Sequence, residues 1–307
     1  MHFPKLSSPA ILSPMAGVTD VAFRALCKKY GASLTCTEFV SGTAILRKNE
    51  RTNFMLQTDP IEKPVAVQLF GSSVQDVIEA AQQVEDSFDI IDVNCGCPAW
   101  KVIKVGAGSA MLKSADGVAS FINKLASAVS KPVTLKIRAG VDENHINAVE
   151  VAKKAEDAGA AAIGVHGRTA KQGYSGIADW DIIKQVKDAV NIPVIGNGDV
   201  FTPEVFKKRL EESGVDAILI ARGAMGNPFI FKQINDYLKK GTYEHIDRLS
   251  LFTEFLALAK KYALPFNNIQ QHALWFTKTA KGGNVLRNKI SKCKNYEELS
   301  GLLRYQS

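Results

Sequence analysis

Over the first 240 residues, short runs of β-branched and other apolar residues alternate with longer stretches in which apolar positions recur at helical spacing. Eight of the short runs read as strands: Ala10–Ala16, Ser33–Phe39, Pro64–Phe70, Asp89–Asn94, Pro132–Ile137, Ala160–His166, Pro193–Gly196 and Val215–Ala221. Most are flanked by Gly, Pro or Asp, as strands buried on both faces of a parallel sheet usually are. Helical patterns fill most of the gaps. One starts after Ser73, a suitable N-cap, and spaces Val74, Val77, Ile78 and Ala81 to bury a single face. Another runs from near Asp20 to Gly31, which tolerates the left-handed conformation that ends helices. Eight strands with helical crossovers predict a (β/α)8 TIM barrel, whose usual length is ~250 residues. An open doubly wound sheet shares the alternation and is the second possibility.

After about Tyr243 the strand pattern stops, and Arg248–Tyr262, Ile269–Thr279 and Glu297–Tyr305 read as helices. The chain therefore divides, as read, into a catalytic barrel over 1–243 and a small all-helical domain over 244–307 packed on one side of it.

With 46% hydrophobic and 22% charged residues, the 307-residue chain can bury a core without disulfides or a structural metal. The opening Met1-His2-Phe3-Pro4-Lys5 lacks the basic-then-apolar order of a secretory signal. No apolar run approaches the ~18–20 residues of a membrane span. Five cysteines at irregular spacing suit a reducing compartment, so a cytoplasmic protein is expected. The net charge of +7 is unevenly placed: from Glu244 onward, ten lysines and arginines face five acidic residues. Between Lys278 and Lys294 there are six basic residues and no acidic one. Such a run is either a solvated helix surface or a phosphate-binding footprint.

In a (β/α)8 barrel the reacting groups lie at the C-terminal ends of the strands and in the loops that follow. The unusual residues fall there. They are Ser13-Pro14-Met15-Ala16-Gly17, Gln68-Leu69-Phe70-Gly71, Asn94-Cys95-Gly96-Cys97-Pro98, Lys136 with Arg138, and His166-Gly167-Arg168. Gly196-Asn197-Gly198-Asp199 and Ala221-Arg222-Gly223-Ala224-Met225-Gly226 follow strands seven and eight, where barrels often bind phosphate. Either turn alone could be just a tight turn. Together, and with Arg222, they point to a phosphate-bearing ligand. Lys136 at a buried strand end needs either an ion-pair partner or a developing negative charge to face. Cys95 and Cys97 lack zinc spacing and the redox C-x-x-C form, so no metal is expected; one buried thiol and one working thiol, Cys97, is the preferred reading.

In order and spacing these segments resemble the tRNA-dihydrouridine synthases. The matching segments are Pro14-Met15-Ala16-Gly17-Val18-Thr19-Asp20, Gln68-Leu69-Phe70-Gly71, Asp92-Val93-Asn94-Cys95-Gly96-Cys97-Pro98, Leu135-Lys136-Ile137-Arg138, His166-Gly167-Arg168-Thr169 and Gly196-Asn197-Gly198-Asp199. Gly106–Leu112 is similar to the family's loop after the active-site cysteine, and Phe276–Arg287 to its helical RNA-binding part. The resemblance implies non-covalent FMN across the barrel mouth, NADPH as reductant, and tRNA as substrate. Pro14, Met15 and Ala16 would line the flavin, Gln68 would bond its ring, and Lys136 would face the reduced, anionic form. His166, Asn197, Gly198, Asp199, Arg222 and Gly223 would hold the rest of the cofactor, with the phosphate among the last five. Asn94 would read the target uracil, Arg138 and Arg168 would also bind the substrate, and Cys97 would be the proton donor. Lys278, Lys281, Arg287 and Lys289 of the tail would grip RNA phosphates. No membrane and no obligatory protein partner are implied, and a monomer would suffice. Ala99-Trp100 departs from the small or basic residues common after the cysteine, which leaves that loop's shape open.

Two other readings share these residues. An FMN barrel acting on a free pyrimidine would not need the basic tail. A non-catalytic RNA-binding barrel would not need Cys97, Lys136 and Gln68.

Overall fold

The apolar runs form the strands of one sheet: β1 Ala10–Leu12, β2 Thr35–Ser41, β3 Val65–Phe70, β4 Ile90–Cys95, β5 Val133–Arg138, β6 Ala162–His166, β7 Val194–Asn197 and β8 Ala217–Ile220. This is a computed structural model, and it describes residues 1–278 and 282–304. The strand order is β1-β8-β7-β6-β5-β4-β3-β2, and every pairing is parallel. The seam between β1 and β2 is bridged by Ser33 N–H on the Ala10 carbonyl (2.9 Å) and Leu12 N–H on the Leu34 carbonyl (3.0 Å). The sheet thus curls into a nearly closed (β/α)8 barrel, and the open-sheet alternative falls away.

Alternation along the strands builds two cores. Inside the ring, Ile11, Cys36, Ala66, Ile90, Ala162, Ile195, Ala217 and Leu219 pack together, with Phe3 and Leu6 of the N-terminal segment against them. Outside it, Val67, Leu69, Ile91 and Val93 meet helix residues such as Val77, Ala81, Val118 and Ile122.

The helix Val74–Val84 starts at Ser73, whose hydroxyl accepts from Asp76 N–H, and buries Val77, Ala80 and Ala81; Val74 and Ile78 lie at the edge of the same core. The helix Val21–Lys29 is capped by Asp20, which accepts from Phe23 N–H, and Gly31 follows its end at φ +96°. The first strand is shorter than its apolar run suggested: it ends at Leu12, and 13–16 become loop. Pro14 has no N–H to continue a ladder, so the chain leaves the sheet there.

Beyond the barrel's last helix, Ile230–Lys240, come Arg248–Lys261, Phe266–Phe276, Gly283–Ile290 and Tyr296–Arg304. The third of these was not foreseen, because its Gly-Gly start is a weak helix signal. Among the described residues, three polar ties join these helices to the barrel. His272 Nε2 lies 2.8 Å from Asp20 Oδ2, both buried; Glu254 accepts from Lys29 Nζ and Tyr30 Oη, each at 2.7 Å; Lys261 Nζ is 2.7 Å from Asp59.

Within the barrel, Arg24 Nε meets Glu62 Oε2 at 2.6 Å with both side chains buried, and Arg24 also donates to the carbonyls of Thr19 (2.7 Å) and Gln57 (2.5 Å). Glu62 further accepts from Asp59 N–H (2.8 Å) and Thr35 Oγ1 (3.3 Å). Removing one partner of such a pair strands the other's charge, so Glu62→Ala should lower unfolding free energy by ~3–5 kcal/mol in chemical denaturation. A loss under ~1 kcal/mol would show that Arg24 is satisfied by the carbonyls alone.

Candidate active site

The strands run parallel, so all eight C-terminal ends share one rim, and a cleft of about 570 Å³ opens inside it. Pro14, Met15, Ala16, Gln68, Asn94, Cys97, Lys136, Arg138, His166, Asn197, Gly198, Asp199, Arg222 and Gly223 all line this cleft. Arg168 does not line it. Neither do Lys278, Arg287 and Lys289, and Lys281 lies outside the described residues.

A buried polar chain orients one wall. Asp92 accepts from Thr134 Oγ1 (2.5 Å) and from Gln68 Nε2 (2.7 Å). The Gln68 carbonyl oxygen accepts from Asn94 Nδ2 at 2.8 Å, and Asn94 Oδ1 accepts from the N–H groups of Gly96 (3.2 Å) and Cys97 (2.9 Å). Each amide in the chain is thereby held in one orientation, and the turn carrying Cys97 is fixed from below. In the sequence Asp92 stands out only as part of the segment Asp92–Pro98. Burial raises its carboxyl above the usual range, against the bonds from Thr134 and Gln68 and the Lys136 charge.

The two neighbouring cysteines separate. Cys95 is buried, 3.7 Å from the Met111 sulfur, and burial pushes its thiol far up. Cys97 is half-buried and faces the cleft. Burial raises its thiol too, against the Ala99 N–H and the charges of Arg138 and Lys136, so it carries its proton at neutral pH.

Lys136 forms no hydrogen bond or ion pair among the described residues. Burial, followed by the Arg138 charge, brings its ammonium down to about 8, with Asp92 acting against both. His166 is driven down to about 2 by burial and by Lys136, Arg138, Arg168 and Arg222, so its ring is neutral. Arg168 donates to the carbonyls of Ser175 (2.9 Å) and Gly176 (2.7 Å) and to Asp199 Oδ2 (2.8 Å). Arg222 donates to Asp199 Oδ1 at 2.8 Å. Burial would raise the Asp199 carboxyl, but Arg168, the Ala178 N–H and Arg222 together hold it below its ordinary value. Asp199 thus pins two arginines, and its backbone adopts φ +53° to do so. Arg138 similarly donates to the carbonyls of Gly96 (3.0 Å), Thr169 (2.8 Å) and Gly173 (2.8 Å).

The amides of Arg222 and Gly223 donate to no group among the described residues. A Cβ on Gly223 would lie 2.4 Å from the Val200 carbonyl, so only glycine lets the β7 and β8 loops approach this closely. The result is a cationic corner with unengaged N–H groups beside a neutral imidazole and an unpaired ammonium.

A sequence profile of the family described as dihydrouridine synthase matches residues 11–306. The chain belongs to the dihydrouridine synthase family. It is 39% identical over 300 residues to tRNA-dihydrouridine synthase B of Pseudomonas aeruginosa, covering 94% of this chain and 90% of that protein. It is 45% identical over 239 residues to the Vibrio vulnificus protein of the same name (78% and 74% covered). To the probable tRNA-dihydrouridine synthase 1 of Synechocystis it is 36% identical over 306 residues (97% and 86%). Among solved structures, 6-hydroxypseudooxynicotine amine oxidase of Pseudomonas geniculata superposes with a TM-score of 0.61 and histamine dehydrogenase of Rhizobium sp. 4-9 with 0.56. At 14% identity, with 82% of this chain but only about half of theirs covered (50% and 49%), these two share the fold alone.

Several cleft residues carry no signal in the sequence pattern. Tyr174 and Phe201 flank Arg222, whose guanidinium lies 5.0 and 5.6 Å from their ring centres. An aromatic residue within Gln172-Gly173-Tyr174-Ser175-Gly176 has no core face to serve, and that was the available clue. Trp275, on the helix Phe266–Phe276, also lines the cleft, which brings the tail to the mouth. In the tail, Lys278 and Lys289 are exposed. Arg287 instead donates to the carbonyls of Thr277 (3.1 Å) and Lys278 (3.3 Å), joining two helices.

Because Lys136 loses its proton as pH rises through about 8, a ligand whose negative charge faces it should bind more weakly above that pH. The decline should reach up to about tenfold per pH unit. Lys136→Met should bind weakly with no such decline, which ligand titrations across that range would check.

Proposed function

We propose that the protein reduces specific uridines of tRNA to 5,6-dihydrouridine, with FMN as its cofactor and NAD(P)H as the source of electrons. The observation that carries this reading is the protonated, half-buried Cys97 thiol in the same cleft as the Lys136 ammonium, which has no partner among the described residues, and a cationic corner with unengaged N–H groups. Membership of the dihydrouridine synthase family, and relatives named for tRNA, support the substrate.

The residues present fit the cofactor. Lys136 would face negative charge on a reduced ring, and neutral His166 can share hydrogen bonds without adding a cation. The Arg222 and Gly223 amides and the Arg222 guanidinium would take the phosphate. The Asp199 carboxylate would hold Arg222 and Arg168 in place, since its oxygens are already engaged. Bound flavin would supply hydride for C6 of the uracil.

Cys97 then gives its thiol proton to C5, and solvent at the mouth restores it. A group asked to deliver a proton is best kept protonated, as burial keeps Cys97. Asn94 lies beside it with its amide fixed by Gln68, a suitable reader of uracil's polar edge. Arg138 shapes this wall through Gly96, while Arg168 acts from behind it. The target base must be turned out of its stack to enter, at a cost of a few kcal/mol. The helical part over 244–307 would grip phosphates near the mouth, through Lys278 and Lys289 on its exposed face.

The direct test is incubation of the purified protein with NADPH and tRNA lacking dihydrouridine, with the modified positions mapped by mass spectrometry. Cys97→Ala should keep flavin and tRNA binding and lose ~10²–10⁴-fold in turnover, whereas Cys95→Ala stays active. Equal loss in both would remove Cys97 from the donor's role. Reduction of free uridine or uracil in place of tRNA would favour a small-molecule oxidoreductase. Affinity for tRNA should fall steeply with salt, and Lys278→Ala with Lys289→Ala should flatten the log–log slope by ~2. Salt-independent binding would argue against a phosphate-gripping tail.

A further inference from the structure

Trp100 opens the short helix Trp100–Ile103, three residues after Cys97, and is 72% exposed. An indole left in water is unfavourable, and this one has no hydrogen bond or aromatic neighbour among the described residues to account for its position. The backbone beneath it is nonetheless well fixed. Val102 and Ile103 N–H groups donate to the Ala99 carbonyl at 2.9 and 3.0 Å, and Ser109 N–H donates to the Cys97 carbonyl at 3.0 Å. Val102 and Ala107 are buried, and Gly108 packs so closely that a Cβ would lie 2.7 Å from the Cys97 carbonyl.

The surroundings are cationic. Lys101 and Lys104 share the turn, both are exposed, and neither forms an ion pair among the described residues. Between Asp92 and Asp116 the chain holds three lysines and no acidic residue. The turn follows β4, four places round the ring from β8, whose loop packs on the C-terminal helices where Gly226 meets Trp275. An RNA held on that side by the tail would need a second support across the mouth.

We infer that Trp100 is a stacking platform for an unpaired nucleobase of the RNA substrate next to the reacting uridine, with Lys101 and Lys104 taking adjacent phosphates. This rests on the tRNA reading above. Turning the uridine out leaves its neighbour with an open face. An indole on the turn next to the cleft-lining Ala99 covers that face whatever the base, because every base presents a π surface.

The test uses the full-length flavin-loaded protein and a tRNA transcript free of dihydrouridine. Trp100→Ala should raise Kd and KM for tRNA by about 5- to 150-fold, the range of base–aromatic stacking, with kcat within about threefold of the parent. Trp100→Phe should keep most of the affinity. Binding of tRNA should quench tryptophan fluorescence, and most of that quenching should vanish in Trp100→Phe although Trp180 and Trp275 remain. Oxidation of NADPH without tRNA should be unchanged in both variants, which reports an intact fold and loop. An unchanged Kd in Trp100→Ala, or equal losses in the Ala and Phe variants, would overturn the inference. A parent protein that neither binds nor reduces tRNA would instead overturn the functional reading, and this inference with it.

Discussion

Crowding of like charge at the mouth of the barrel is the constraint on which the site depends. Lys136, Arg138, Arg168 and Arg222 all act on one neutral imidazole, His166. Buried cations are costly unless their charge is met by carboxylates or by hydrogen-bond acceptors. The barrel uses both. Asp199 stands between Arg168 and Arg222, and carbonyl oxygens of the loops take up the remaining donors of Arg138 and Arg168. Only Lys136 is left without a partner among the described residues. The same bonds fold the loops after β4 and β6, so loop shape and site potential are one arrangement.

A second wall is built on the opposite principle, with polar groups matched one to another. Asp92, Thr134, Gln68 and Asn94 are on neighbouring strands, and the register pairs Gln68 with Asp92 and Asp92 with Thr134. Because a carboxylate can only accept, Asp92 sets the Gln68 amide, which sets Asn94, which receives the Cys97 N–H. A buried carboxylate thus determines which atom each amide presents to the cleft. The Cys97 thiol is positioned from this wall and kept protonated by burial, while the Cys95 thiol is turned into the core.

One of the ties between the C-terminal helices and the barrel lies close in the chain to residues that line the mouth. Asp20 caps the helix after the Pro14–Ala16 loop and meets His272, three residues before Trp275 in the cleft. This buried contact therefore joins the tail to a loop that lines the mouth.

The sequence by itself determined the eight strands, their order as parallel crossovers and the rim at which the unusual residues collect. Those depend on local periodicity, on Gly and Pro at turns and on the sidedness of a parallel barrel, all properties of nearby residues. The grouping of fourteen named residues around one cleft follows from that sidedness. Tertiary structure alone decided the closure of the barrel between β1 and β2, the burial of Arg168 behind the cleft and the capture of Asp199 by two arginines. It also decided that Arg287 bonds the tail's own carbonyls and that Trp275 and Tyr174 reach the mouth. Those outcomes depend on which groups meet across the fold, some less than ten residues apart in the chain and others more than two hundred. For a charged side chain the nearest partner, and not its own identity, decides whether it faces a ligand or holds a loop.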